Sequence, residues 1–87
     1  MNTKQTYILN EAKRLSLLGQ KMKVMDLAIE LNRLGFRTGY GSLYQGQRGT
    51  YTLLHATYKA VKKQINKTQA DLIALHFTKP NGAFAWK

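Results

Sequence analysis

A chain of 87 residues, 44% of them hydrophobic and spread along its length, has room for one modest core and does not have the composition of a disordered segment. It has no cysteine, two histidines and four acidic residues, which excludes a disulfide scaffold and a thiolate zinc site, so neither metal nor cofactor is expected. Fourteen Lys+Arg against four Asp+Glu give a net charge of +10 at pH 7 and a pI near 10.2, a balance that suits a polyanionic partner, most commonly nucleic acid.

The first thirteen residues, MNTKQTYILNEAK, lack the basic stretch and apolar run of a secretory signal. No apolar run reaches the roughly 18 residues that a membrane helix needs, so a cytoplasmic protein with no membrane association is expected. Segment 4–18 places Ile8, Ala12, Leu15 and Leu18 at helical spacing, with Gly19 as a stop and Lys4, Lys13 and Arg14 toward solvent. Segment 22–34 places Val24, Leu27, Ala28, Leu31 and Leu34 on one face of a second helix, and Gly35 follows where a left-handed cap belongs.

Segment 37–49 is a Gly-rich loop, with Phe36-Arg37-Thr38 a candidate short strand before it. Three readings of the loop stand side by side. It can be a connection whose glycines supply positive φ. It can be a basic, adaptable loop in which Arg37, Gln45, Gln47 and Arg48 reach phosphates or a minor groove. The third reading, a nucleotide cradle, fails because no G-x-x-x-x-G-K-[ST] pattern is present.

Segment 50–66 returns to helical period. Leu54, Tyr58, Val61 and Ile65 form its apolar stripe, Thr50 or Thr52 is a candidate cap, and Thr52, His55, Lys59, Lys62 and Lys63 occupy the opposite face. In the final segment Thr68-x-x-Asp71 resembles a capping box, opening a short helix through Leu72, Ile73, Leu75, His76 and Phe77. Pro80-Asn81-Gly82 is then a turn and Ala83 to Trp86 a strand; alternatively, 73–78 is itself a strand of a C-terminal hairpin.

Together these elements predict a single mainly α domain over residues 1–87, of helix-turn-helix, winged-helix-like type. It would have three or four helices and a short C-terminal strand or hairpin. In such a fold the second helix sets the angle of the third, whose N-terminal side chains meet base edges in the major groove. Thr50, Tyr51, Thr52 and His55 hold those positions, while Lys59, Lys62 and Lys63 would meet phosphates. Arg37, Gln47, Arg48 and Lys79 would flank them.

The run Leu27-Ala28-x-x-Leu31-Asn32-x-x-Gly35-Phe36-x-Thr38-x-x-Gly41-x-x-Tyr44 resembles the helix-turn-helix segment of large serine recombinases. The resemblance covers about a fifth of the chain. It implies a DNA-binding unit of a phage or another mobile element, in which Tyr44 packs, without the recombinase catalytic domain.

Double-stranded DNA is thus the expected partner, for a transcriptional regulator or a mobile-element accessory factor. No heptad marks a dimer helix, so a homodimer stays an open option. Two rivals remain. One is a basic module that docks on an acidic protein surface, as a phage-type inhibitor would. The other is an RNA or single-strand binder, for which Tyr40 and Tyr51 are the candidate stacking rings. Catalysis is not expected, because His55 and His76 lack a patterned nucleophile or carboxylate and no H-E-x-x-H or G-x-S-x-G motif occurs.

Overall fold

The computed structural model describes residues 1–45 and 48–78, and for Arg48 the backbone alone. In chain order the described elements are α1 (Thr3–Leu18), β1 (Met22–Lys23), α2 (Val24–Arg33), α3 (Arg48–Gln64), α4 (Lys67–His76) and β2 (Phe77–Thr78). The fold is mainly α, with a short two-stranded sheet.

Local chemistry sets the helix ends. Asn2 and Gln5 form a capping box at α1, each side-chain oxygen accepting from the other's backbone N–H at 2.9 and 3.1 Å. Gly19, with φ +63°, closes α1 in the left-handed conformation that costs a Cβ-bearing residue steric energy. Gly35 does the same after α2 at φ +88°, where Phe36 N–H donates to Leu31 O at 2.9 Å. The cap of α4 departs from the sequence expectation. Asn66 accepts from Gln69 N–H at 2.8 Å, so Thr68 lies inside the helix and Asp71 is left for another task.

The core gathers one stripe from each helix: Ile8, Leu9, Ala12 and Leu15; Val24, Leu27, Ala28 and Leu31; Leu54 and Val61; Ala70 and Ile73. Helix α4 packs against both α3 and α1, and Ala12 and Ala70 are fully buried. Met22 and Lys23 begin the predicted second helix in sequence but form β1, which pairs in parallel with Phe77 and Thr78. Parallel strands need a long crossover, and here α2, α3 and α4 all lie within it. Fully buried Phe77 anchors the pair, and His76 Nδ1 lies 3.0 Å from Gln20 O. Since a carbonyl only accepts, that contact selects the Nδ1–H tautomer. The segment 68–78 therefore resolves as helix through His76 followed by strand. The expected turn at Pro80 and strand at 83–86 lie outside the described residues.

Three residues assigned to apolar faces, and Leu75 of the fourth helix, are exposed. Leu18, Leu34 and Ile65 sit at or just beyond helix ends, past the reach of a neighbouring helix, and Leu75 stands on the side of α4 away from Ala70 and Ile73. Phe36–Thr38 is not a strand; Phe36 packs its ring on Tyr7 at 5.7 Å between centroids. The order α2, connection, α3 is present, and the two helices pack together. The connection, 34–47, is far longer than the three or four residues of a tight helix-turn-helix.

Candidate nucleic-acid interface

From Gly49 to Gln64 the residues of α3 divide by face. Thr50, Leu54, Thr57 and Val61, spaced by three or four, are buried. Thr57 avoids the cost of a buried hydroxyl by donating to Leu53 O at 2.7 Å. On the opposite side Thr52, His55, Ala56, Lys59, Lys62 and Lys63 are all exposed. At about 1.5 Å rise per residue this open face runs about 16 Å from Thr52 to Lys63. The helix carries no carboxylate anywhere in its sequence.

The segment before α3 is built by side-chain clamps. The Asn32 amide grips the backbone of Tyr44 at both ends, donating from Nδ2 to Tyr44 O at 2.8 Å and accepting from Tyr44 N–H at 2.8 Å. Thr38 folds the tip: its Oγ1 accepts from Tyr40 N–H at 3.3 Å and Ser42 N–H at 3.1 Å, and its own N–H donates to Ser42 O at 2.8 Å. Gly41 completes that turn at φ +80°. Tyr44 is buried, and Lys4 Nζ reaches both its hydroxyl, at 3.1 Å, and Arg37 O, at 2.6 Å. Lys4 is therefore half-buried, and its charge ties α1 to the loop instead of facing solvent.

This clamp changes which residues of α3 can meet a partner. Gly49 sits against Tyr44 and Thr38; a Cβ built on it would lie 3.7 Å from the Tyr44 ring. Thr50, expected at a base edge or as a cap, is fully buried inside the helix. Tyr51 is half-buried against the core, and burial raises its phenol pKa above the ordinary value. The reason is that α3 starts at Arg48, two residues earlier than the period suggests, so its first turn lies under the loop. The accessible face begins at Thr52.

Arg37 is exposed but committed. Its Nη1 donates to Asn32 O at 3.2 Å and Phe36 O at 2.7 Å, so its positive charge complements the carbonyl end of α2. Thr52, His55, Lys59, Lys62 and Lys63 share one exposed face, as their spacing predicts. Gln47, Lys79 and the side chain of Arg48 lie outside the described residues.

Three of the four acids are paired locally. Glu11 pairs with Arg14 and Glu30 with Arg33 one turn apart; Lys67 reaches Asp71 at 2.9 Å. The Arg33 hydrogen bond holds the Glu30 carboxyl below its usual range. Asp71 is held low first by Lys67, then by Tyr58, whose hydroxyl donates to it at 3.0 Å, and at longer range by Lys62. Lys59 and Lys63 take part in no ion pair among the described residues.

Sequence reasoning missed the Lys4–Tyr44–Arg37 junction and the Asn32 clamp. The Asn32 signal was available, since Asn32 and Tyr44 both stand in the 27–44 pattern. Nothing local marks Lys4 as a partner of residues more than thirty positions away.

Between α1, the loop and α3 lies a groove of about 580 Å³, with Tyr40, Tyr44, Leu53 and Ala56 among its walls. Among the described residues, no cluster of three or more His, Asp or Glu is placed to hold a metal, and no helix is long and apolar enough to cross a membrane. Comparison with protein-family models, with curated proteins and with solved structures found no match to this chain.

Proposed function

We propose that this chain binds double-stranded DNA through the open face of α3 and performs no chemistry of its own. One observation carries the reading: Thr52, His55, Lys59, Lys62 and Lys63 lie on a single exposed helical face that holds no acid. A helix about 10–12 Å across fits a major groove about 12 Å wide. Lys59 and Lys63 would meet phosphates, and Thr52 and His55 would stand nearest the base edges. Lys62, exposed on the same face, would join those two lysines. The resemblance of residues 27–44 to a recombinase DNA-binding segment points the same way, to a regulator or an accessory factor of a mobile element.

The burial of Thr50 and the packing of Gly49 against the loop favour a second reading, in which the same basic face docks on an acidic protein. Fold alone does not choose between the two. Fluorescence anisotropy with a labelled duplex across a salt series does. Each phosphate neutralised contributes about 0.9 to the slope of log K against log salt. The Lys59→Ala/Lys62→Ala/Lys63→Ala variant is expected to stay folded and to lose about two to three units of slope. Absence of duplex binding by the wild type at low salt would overturn the DNA reading in favour of the acidic partner.

A further inference from the structure

Tyr40 is the most exposed large hydrophobic residue among the described residues, at 98%. It is nevertheless held on a firm support. Thr38 makes hydrogen bonds on both sides of it, through Tyr40 N–H and Ser42 N–H, and Gly41 N–H donates back to Thr38 O at 2.9 Å. An aromatic ring on a pinned tip, facing water, spends hydrophobic surface with no return inside the fold.

The ring stands at the rim of the groove between α1, the loop and α3. Two groove residues, Thr52 and Ala56, belong to the open face of α3, so the groove and the cationic face are continuous. Tyr44 and Leu53 also line the groove. Its α1 wall carries donors. The capping box uses only the side-chain oxygens of Asn2 and Gln5, which leaves the amide N–H groups of both residues for a ligand. Lys4 adds a third N–H beyond the two it spends on Arg37 and Tyr44. Base edges present carbonyl and ring-nitrogen acceptors to such donors.

We infer that Tyr40 and this groove form a site for one unstacked base of the DNA held on α3, the base stacking on the Tyr40 ring with its edge toward Asn2 and Gln5. This rests on the DNA reading above and extends it: the protein selects duplexes that offer an unpaired or easily extruded base.

The test uses two duplexes of equal length, one fully paired and one with a single unpaired 2-aminopurine. Stacking on an aromatic side chain contributes enough per base that the bulged duplex should bind about tenfold tighter, and 2-aminopurine fluorescence should change on binding. Tyr40→Ala should abolish both the preference and the fluorescence change while leaving affinity for the paired duplex intact. Tyr40→Trp should retain both. The Lys59/Lys62/Lys63 variant should weaken the two duplexes alike. Equal binding of both duplexes by the wild type would overturn the base site while leaving the DNA reading in place. A preference that survives Tyr40→Ala would overturn the role of Tyr40. Failure to bind either duplex would overturn both proposals together.

Discussion

The two sides of α3 share a backbone but answer to different demands. On one side Thr50, Leu54, Thr57 and Val61 are buried, and their environment is the rest of the fold. On the other Thr52, His55, Lys59 and Lys63 are exposed to water. The buried side explains why the helix exists where it does, since amphipathic packing supplies most of a helix's stability. The open side is where a requirement from outside the molecule can be written. A concentration of lysines there, on a helix without a single acid, is not needed for folding, and net repulsion among them opposes it. The comparison therefore separates changes that unfold the protein from changes that remove its partner.

The sharpest contrast is Leu54→Ala against Lys59→Ala. Emptying a fully buried leucine site should destabilise by about 2–5 kcal/mol, seen as a lower urea midpoint, while the lysine variant should stay within about 0.5 kcal/mol of wild type. If Lys59→Ala unfolds the protein as readily, the division between the faces fails. Next comes Asn32→Ala, which removes both clamps on Tyr44 and leaves its backbone groups without those partners. Stability should fall by about 1–3 kcal/mol, and hydrogen exchange at the Tyr44 amide should accelerate well before that of the core.

Within the open face, single substitutions should not be equal. Lys63→Ala should lower the salt slope by about 0.9, and Thr52→Ala should leave it unchanged, because Thr52 carries no charge. The smallest effect concerns Asp71 itself. Its folded pKa lies below the ordinary 3.8, so its contribution is present above that value and is lost as pH falls through the lower, folded one. The stability gap between wild type and Asp71→Asn should therefore close on acidification below about pH 4. The gap is small throughout because the group is exposed to solvent.

Much of this arrangement is legible in the chain. The periods of α1, α2 and α3, the stops at Gly19 and Gly35, and the division of α3 into apolar and basic sides follow from spacing alone. What spacing does not carry is the behaviour of helix ends and of distant partners. Met22 and Lys23 open the segment read as the second helix, yet a strand wins because Phe77 and Thr78, more than fifty residues on, arrive to pair with them. Thr50 reads as a cap until Arg48 and Gly49 join the helix and carry it inward. Lys4 reads as a surface charge until folding brings the Arg37 carbonyl and the Tyr44 hydroxyl to it. Long-range contacts overrode the local preference at Met22–Lys23 and at Lys4, and at Thr50 an earlier helix start moved an edge of the candidate site without moving its centre at Lys59.

The most direct measurement of that centre is lysine footprinting: brief acylation of the protein with and without saturating duplex, read residue by residue by mass spectrometry. The proposed mode of binding predicts strong protection at Lys59 and Lys63, with Lys13 on α1 and Lys21 and Lys23 around β1 reacting as in the free protein. Protection at Lys13, Lys21 and Lys23 with Lys59 and Lys63 still reactive would contradict it.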